Sequence, residues 1–336
     1  MSRASPSESW LVFDIGGTNL RAALYDRSRD TLSRVAQRPT PSHWTIPGQS
    51  PQSIQRRLLA EMRELAASIS GGEEPSVVSV AFPGPISPQG IALSAPTVWG
   101  ESSEPFQVGP EIEKLWPSAI VFVMNDVTAA GYRYLRDPSE DFCIVTVSSG
   151  IGLKVFVGGR PVLGPAGRGG EIGHVRVDFS TDPPVCDCGG PGHLGAISSG
   201  RGALLAAWRS AEADRDDFAN SLLAGTGKAL DNPTLVSAFH HGDDWACRLI
   251  RRTTHPLGQM LAVIHVSLGL ERFIIIGGFA LALGEAYRRE LVEAASSCCW
   301  RLGQSWDSMI TLGEPDDLTG VLGAARFARE QLGREP

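Results

Sequence analysis

A chain of 336 residues is long enough for two domains or one large one. It is 42% hydrophobic and 20% charged, with a formal net charge of −7, and it has no basic run, which argues against a nucleic-acid backbone as its main partner. The N-terminal segment lacks the apolar stretch of a signal peptide, and no run of about 18 apolar residues occurs. We therefore predict a cytoplasmic protein that does not bind or cross a membrane.

The first third of the chain predicts strands that end in glycine turns. Residues 10–26 predict an apolar strand, a Gly-Gly turn and a second strand of alternating character. A hairpin or loop should follow over 27–50, and then an amphipathic helix that ends at Gly71. The apolar segments 76–86 and 119–126 predict buried strands, the second followed by a helix.

The remaining chain repeats this pattern. Residues 141–162 again predict a strand, a Ser/Gly turn and a strand, and helices should fill roughly 200–270. A strand with a Gly-Gly turn is expected at 272–282, and a C-terminal helix at 318–332. A repeated hairpin and buried strands that alternate with helices predict an α/β protein with two similar halves.

Three widely separated glycine turns, each after an apolar strand, favour nucleotide binding. Glycine lets backbone N–H groups approach an anion, and an acid at the strand end suits hydrated Mg²⁺ beside a phosphate. Each turn alone could be an ordinary hairpin. The turns are Asp14-Ile15-Gly16-Gly17-Thr18-Asn19, Ser148-Ser149-Gly150-Ile151-Gly152 and Gly277-Gly278.

Two familiar nucleotide motifs are excluded. The segment 224–230 resembles a phosphate-binding P-loop, but Leu222 stands where its first glycine belongs and Ala229 follows the lysine in place of Ser or Thr. No G-x-G-x-x-G follows a predicted strand, so a dinucleotide fold has no support.

Six motifs together resemble the ROK family of repressors, uncharacterised reading frames and sugar kinases. They are DIGGTNLRAALYD, FPGPI, MNDVTAA, VSSGIGLKVFVGGRPVLGPAGRGGEIGH, CDCGGPGHL and IIIGGFA, and they extend over about residues 10–328. The resemblance implies a two-domain actin-like ATPase fold, also called ribonuclease H-like, with an interdomain cleft. We expect an N-terminal domain of residues 1–136 plus 318–336 and a larger domain of 137–317 that carries a zinc-binding loop.

The resemblance also implies ATP-dependent phosphorylation of the primary, C6-type hydroxyl of a hexose-like molecule. By position, ATP and Mg²⁺ are expected at Asp14, Gly16, Gly17, Thr18, Asn19, Ser149, Gly150, Gly152, Gly277 and Gly278. The sugar is expected at Pro83, Gly84, Asn125, Glu171 and His174. Asp126 would be the catalytic base, although an Asp before a helix can equally be its N-cap.

Two cysteines one residue apart, with a histidine on either side, indicate a metal site in a reducing compartment. Family members carry a zinc held by the GEIGH histidine and by three cysteines, of which the last is His193 in this chain. We therefore expect a structural zinc at His174, Cys186, Cys188 and His193, because a set of four protein ligands leaves no position for water.

Two positions depart from the family pattern. Gly195 stands where most family kinases have a Glu that binds sugar hydroxyls, and an Asn is missing before Trp99. We therefore predict an acceptor other than glucose, either an amino sugar such as kanosamine or a C7 cyclitol of an antibiotic pathway. A glucokinase is the alternative.

Two further classes are considered. Only 13 residues precede Asp14, too few for the DNA-binding region that the resemblance implies for a repressor. A sugar-binding regulatory protein without catalysis is disfavoured because Asp14, Asn125, Asp126 and Glu171 are all present. A homodimer is expected from the resemblance.

Overall fold

The computed structural model describes residues 9–100, 104–225 and 229–333. The chain divides into two compact units. Unit 1 is drawn from Met1–Pro138, Pro161–Gly169 and Asp316–Pro336, and unit 2 from Ser139–Arg160 and Gly170–Pro315. None of the helices in the described ranges is long and apolar enough to cross a membrane.

The described residues form ten strands. They are β1 (Ser9–Ile15), β2 (Asn19–Asp26), β3 (Thr31–Pro39), β4 (Val77–Phe82), β5 (Ile120–Asn125), β6 (Phe142–Val147), β7 (Ile151–Val157), β8 (Arg160–Pro161), β9 (Phe273–Ile276) and β10 (Ile310–Leu312).

The same ranges contain twelve α-helices and one 3-10 helix, Ile172–His174. The α-helices are α1 (Pro51–Ser70), α2 (Pro96–Trp99), α3 (Val108–Leu115), α4 (Asp126–Tyr134), α5 (Gly195–Ser198), α6 (Gly200–Ala213), α7 (Arg215–Ala219), α8 (Asn232–His240), α9 (Asp244–Leu268), α10 (Gly278–Ser297), α11 (Trp306–Met309) and α12 (Thr319–Gly333).

Each of the two five-stranded sheets contains an antiparallel hairpin whose first strand also pairs in parallel with a later strand. The first sheet has the order β3-β2-β1-β4-β5, and the second β10-β9-β6-β7-β8. In the first, β1 pairs antiparallel with β2 and parallel with β4; in the second, β6 pairs antiparallel with β7 and parallel with β9. The predicted repeat of a strand, a turn and a strand is therefore confirmed.

The helix predicted before Gly71 shows how local sequence sets these elements. Ser50 caps α1 by accepting a hydrogen bond from the Ser53 amide, and Pro51 begins it with the φ that a first turn requires. Gly71 ends it in the left-handed conformation, at φ 67°. One face of α1 is buried against the apolar side of the first sheet, at residues that include Ile54, Leu58, Met62 and Leu65.

Unit 2 has an apolar core of its own. Buried side chains of β6 and β9 pack with those of α9 and α10, and every residue of β9 is buried. Because parallel strands in the middle of a sheet are covered on both faces, they are apolar throughout, as the predicted buried strands were.

Candidate active site and metal centre

The first glycine turn joins β1 to β2 and places a carboxylate beside it. Asp14 lies opposite Arg21 in the antiparallel register, so the two side chains share a face, and the Asp14 carboxylate lies 3.5 Å from the Arg21 guanidinium. The Gly16 amide donates to the Asn19 carbonyl oxygen at 2.9 Å, which closes the turn. A Cβ at Gly320, near the start of α12, would lie 2.2 Å from the Asp14 carboxyl carbon. The α12 backbone therefore lies so close to the Asp14 carboxylate that only glycine fits at this position.

Burial makes the Asp14 carboxylate electrostatically unfavourable in the folded chain. Loss of water around it raises the pKa of Asp14 to about 6, and the attraction of Arg21 offsets only part of that rise. The Asp14 side chain is 14% exposed. A buried carboxylate that is short of positive charge, next to glycine backbone, is a donor set that fits Mg²⁺.

Asn125 and Asp126 meet at the junction of β5 and α4. The Asn125 side-chain oxygen accepts hydrogen bonds from the Val127 and Thr128 amides, both at 3.0 Å, and so caps α4. Its amide nitrogen donates to the Gly84 carbonyl oxygen at 2.9 Å and to Asp126 Oδ1 at 2.8 Å. Asn125 therefore ties the start of α4 to the turn after β4 and orients the neighbouring carboxylate.

The alternative role of Asp126 as the N-cap is wrong. Asp126 is the first residue of α4, and the cap is Asn125, because β5 extends through Asn125 in register with Phe82. Within the Asp126 side chain, Oδ1 accepts from the Val127 amide at 2.9 Å. The positive end of the helix dipole lies at this position and stabilises an ionised carboxylate.

Pro83 and Gly84 form the turn that follows β4. Gly84 has φ 90°, and a Cβ there would lie 2.0 Å from the Ser94 carbonyl oxygen, so no other residue fits without a shift of the backbone. The Gly84 carbonyl oxygen is the one that receives the Asn125 amide. The two predicted substrate-binding positions thus support the Asn125–Asp126 pair.

The second and third glycine turns lie at the same edge of the second sheet. Because β6 and β9 are parallel, Thr146 lies opposite Ile276, and the turn of Ser149 and Gly150 comes next to Gly277. Gly152 lies just after this turn, in β7. Gly277 has φ 99°, and a Cβ there would be 2.6 Å from the Val147 carbonyl oxygen.

Two helices begin at this edge. Gly278 starts α10 with no side-chain cap, and the Gly200 amide at the start of α6 donates to the Ser148 carbonyl oxygen at 2.8 Å. The uncapped start of α10, next to glycine backbone, suits phosphate oxygens, whereas α6 is capped by the Ser199 side chain.

Glu171 is paired with a lysine that the sequence analysis did not single out. Lys154 on β7 lies opposite Ile144 of β6, and its ammonium is 2.9 Å from Glu171 Oε1. The Lys154 side chain is 2% exposed and that of Glu171 is 33% exposed. Lys154 is one of three lysines in the chain and stands in the middle of an apolar strand. A lysine at such a position is the feature of the sequence that could have indicated a buried ion pair.

The four predicted zinc ligands come together. Their donor atoms all lie within 4.8 Å of one another. The Nδ1 atom of His174 is 3.2 Å from Cys188 Sγ and 3.8 Å from Cys186 Sγ, and His193 Nδ1 is 3.2 Å from Cys188 Sγ. Zinc bonds of about 2.3 Å to sulfur and about 2.0 Å to nitrogen give a tetrahedral N–S edge of about 3.5 Å, close to these separations.

The loop around this cluster is built to place His193. A Cβ at Gly190 would lie 2.0 Å from the His193 ring, so only glycine allows the ring its position. Loss of water, with the nearby His174 and Arg176, holds the pKa of His193 below its usual value. A neutral imidazole is the form that binds a metal. The residues present therefore fit a closed zinc site.

The two positions that depart from the family pattern lie in packed surroundings. Gly195 is buried at the start of α5, and a Cβ there would be 3.1 Å from the Gly173 carbonyl oxygen, next to the metal loop. Val98 is fully buried in the apolar core of unit 1 and carries no polar contact into a site.

The predicted site residues fall into one group in unit 1 and others in unit 2. Unit 1 holds the Asp14 turn and the Asn125–Asp126 junction, which Pro83 and Gly84 support. Unit 2 holds the phosphate-type turns, Glu171 and the metal cluster, in which His174 lies with its ring toward the cysteines.

A ROK family model matches residues 11–331. This chain belongs to the ROK family. The sequence resemblance is thereby confirmed, and the kinase relatives make the chain a phosphotransferase of the sugar-kinase class.

Relatives and a solved structure agree with this assignment. The chain is 38% identical over 335 residues to a C(7)-cyclitol 7-kinase of Streptomyces hygroscopicus subsp. limoneus, covering 96% of this chain and 94% of the relative. It is 32% identical to a 2-epi-5-epi-valiolone 7-kinase of Actinoplanes sp., covering 84% and 80%. A ROK family glucokinase from Streptomyces griseus has the same fold, with a TM-score of 0.75 at 22% identity over 96% of this chain and 99% of the other. The expected actin-like ATPase fold is confirmed.

Proposed function

We propose that this protein is an ATP-dependent kinase that phosphorylates the primary hydroxyl at position 7 of a C7 cyclitol in secondary metabolism. The observation that carries the proposal is the 38% identity to a C(7)-cyclitol 7-kinase over nearly the whole of both chains. Gly195, in place of the expected sugar-binding Glu, supports an acceptor whose hydroxyl pattern differs from that of glucose.

Asp126 is the proposed catalytic base. Phosphoryl transfer depends mainly on positioning and charge neutralisation, with one carboxylate that accepts the proton of the attacking hydroxyl. The structure supports this role because Asn125 takes over the capping of α4 and orients the Asp126 carboxylate. Asn125, Pro83 and Gly84 form the surroundings of that carboxylate and are the proposed acceptor side of unit 1.

ATP and its metal are proposed at the glycine turns. In unit 1, Asp14 with the backbone from Gly16 to Asn19 would hold Mg²⁺ and phosphate oxygens. In unit 2, the turn of Ser149, Gly150 and Gly152 would hold phosphate, and Gly277 and Gly278 would border the adenosine. Bound Mg²⁺ would neutralise negative charge on the phosphates. Glu171 and His174 complete the proposed acceptor residues.

A structural zinc is proposed at His174, Cys186, Cys188 and His193. It would close the loop that follows Glu171, and it would take no part in the chemistry because all four positions are filled by the protein. A cytoplasmic setting is part of the same proposal, because thiolate ligands persist in a reducing compartment.

A homodimer is also proposed. The C-terminal part of α9 exposes Val263, Val266 and Leu268, with Val266 68% exposed. Adjacent exposed apolar side chains on one helix are typical of a subunit interface.

The two other acceptors named from the sequence have less support. Likeness to the glucokinase is at 22% identity and concerns the fold. N-acetylmannosamine kinases, whose name refers to an acetylated amino sugar, are also relatives, but at 30% identity against 38% for the C(7)-cyclitol 7-kinase.

A competition assay tests the proposed acceptor. The purified protein is given limiting ATP with Mg²⁺ and an equimolar mixture of 2-epi-5-epi-valiolone, glucose and kanosamine. We expect the cyclitol to receive most of the phosphate, at its C7 oxygen, as located by phosphorus–proton NMR. A product that is mainly glucose 6-phosphate would replace the proposal by the glucokinase alternative.

A further inference from the structure

The buried pair of Lys154 and Glu171 has a consequence for the charge of the acceptor. We propose that Lys154 is a specificity-determining residue, which compensates the charge of Glu171 so that the site selects an uncharged polyol over an amino sugar. This inference rests on the proposed function, because it takes Glu171 as an acceptor-binding residue. Lys154 acts through Glu171 and is a positioning residue.

Lys154 and Glu171 are joined by a direct contact between their charged groups. Lys154 Nζ lies 2.9 Å from Glu171 Oε1, a charge-assisted hydrogen bond of ordinary length. Among the residues that the structure describes, Glu171 Oε2 has no hydrogen-bond partner, and a third of the Glu171 side chain is exposed. Glu171 is therefore fixed through one oxygen and offers the other to a hydroxyl that donates.

The backbone near Glu171 is shaped around the Lys154 side chain. A Cβ at Gly170 would lie 2.9 Å from Lys154 Cδ and 2.1 Å from the Leu153 carbonyl oxygen, and Gly170 has φ 88°. The chain before Glu171 thus passes directly over the Lys154 side chain, at a distance that only glycine permits. Lys154 is 1% exposed as a residue, and burial of an ammonium at such a position is costly without a partner.

The pair affects a charged acceptor and a neutral acceptor differently. A lone carboxylate would attract the ammonium of an amino sugar, and that attraction would offset the loss of water around the ammonium. With Lys154 adjacent, the pair has no net charge, so an incoming cation is repelled by one partner nearly as strongly as it is attracted by the other. The dehydration of the ammonium then stands uncompensated, whereas a neutral hydroxyl still donates to Glu171.

The test measures selectivity. We would determine kcat/KM with ATP for 2-epi-5-epi-valiolone and for kanosamine, in the wild type and in Lys154→Met. Removal of the cation should lower kcat/KM for the cyclitol about tenfold, mainly through KM, and should raise the ratio of kanosamine to cyclitol at least tenfold. Lys154→Arg keeps the charge and should keep the ratio within about threefold. Lys114→Met, at an exposed lysine paired with Glu111, is the matched control.

A double variant separates selectivity from folding. Lys154→Met combined with Glu171→Gln leaves no uncompensated buried charge, so it should fold even where the single Met variant does not. If Lys154 acts through Glu171, removal of Lys154 should change the ratio only while the Glu171 charge is present. The double variant, like the wild type, carries no net charge at the pair, so its ratio of kanosamine to cyclitol should lie within about threefold of the wild-type ratio. An unchanged ratio in Lys154→Met, or a ratio in the double variant that differs more than threefold from that of the wild type, would overturn the inference.

Failure of the proposed function is a separate outcome. If the wild type phosphorylates glucose rather than the cyclitol, the function is replaced, and the same variants are tested with glucose against kanosamine. If no acceptor is turned over, calorimetric binding of the cyclitol and of kanosamine without ATP supplies the same ratio. In each case an unchanged ratio in Lys154→Met contradicts the role given to Lys154.

Discussion

Asp126 carries the proposed chemistry, and its removal gives a direct prediction. Asp126→Asn keeps the shape of the side chain but cannot accept a proton, so kcat should fall by about 10²–10⁴. Binding of the acceptor should change little, because the Asn125 cap and the Gly84 contact remain. Steady-state kinetics and calorimetry measure the two effects.

The control for that prediction is Asp182→Asn, at a carboxylate whose side chain is 94% exposed. It should leave kcat unchanged. A wild-type kcat in Asp126→Asn would show that Asp126 is not the catalytic base. If acceptor binding is lost together with kcat, Asp126 acts in acceptor binding alone.

Asp14 gives a prediction on pH and stability. Its pKa of about 6 in the folded protein exceeds its ordinary value of 3.8, so between these pH values the folded state keeps a proton that the unfolded chain has released. This group therefore lowers the free energy of unfolding as pH rises from about 4 to 6, and the loss is complete above pH 6. Asp14→Asn lacks this titration and should gain stability over the wild type across that window, by up to about 3 kcal/mol.

Urea unfolding at pH 4 and pH 7.5, in buffer with a chelator, measures the stability gain of Asp14→Asn at the two ends of this pH range. The stability difference between Asp14→Asn and the wild type should be larger at pH 7.5. Equal differences at the two pH values would show that burial does not raise the pKa of Asp14. A site that destabilises its own fold is expected where a metal later supplies the missing charge.

The junction of the β4 turn and α4 is the element on which the Asp126 geometry depends. Gly84→Ala would place a Cβ 2.0 Å from the Ser94 carbonyl oxygen and shift the carbonyl that holds Asn125. We expect it to lower kcat and to destabilise the fold by at least about 2 kcal/mol more than the control. Gly48→Ala is that control, because Gly48 has a similar φ of 79° with open space around it. Equal effects of the two variants would mean that backbone strain alone explains the loss.

The metal loop is an element with a prediction of its own. Purified protein should contain about one zinc per chain by elemental analysis, and chelation should lower the melting temperature by several degrees. Cys188→Ser should lose the zinc, whereas His193→Cys should keep it, because thiolate and imidazole are both ordinary ligands. Cys298→Ser, at an exposed thiol outside the cluster, is the control. If a metal-free preparation is fully active and as stable as the untreated protein, the chain has no structural zinc site.

Local sequence patterns predicted the helices, strands and turns, whereas the α4 cap and the Lys154–Glu171 pair depend on contacts between residues distant in the sequence. The α1 helix and the glycine turns follow from neighbouring residues, such as Ser50, Pro51 and Gly71. Neighbouring residues do not decide whether Asn125 or Asp126 caps α4, because both residue types cap helices. The end of β5 is set by its pairing with β4. The Lys154–Glu171 pair joins residues 17 apart across a turn, and strand alternation alone cannot find such a partner.

For the whole molecule, membership of the ROK family together with the similarity to kinases indicates the class of reaction and leaves the acceptor to be determined. Each unit has its own sheet and apolar core, and the site residues of each are held by contacts inside that unit. The four residues of the His/Cys cluster and the Asp14 turn were predicted because the motifs carry them. The motifs do not identify the acceptor, because Gly195 indicates only that the expected Glu contact with sugar hydroxyls is missing.

The most direct measurement of the central claim is kcat/KM with ATP and Mg²⁺ for 2-epi-5-epi-valiolone and for glucose, on the same preparation. The cyclitol should exceed glucose by at least about 100-fold, the discrimination expected of a site that matches the hydroxyl pattern of its acceptor. A kcat/KM for glucose equal to or above that for the cyclitol would contradict the proposed function.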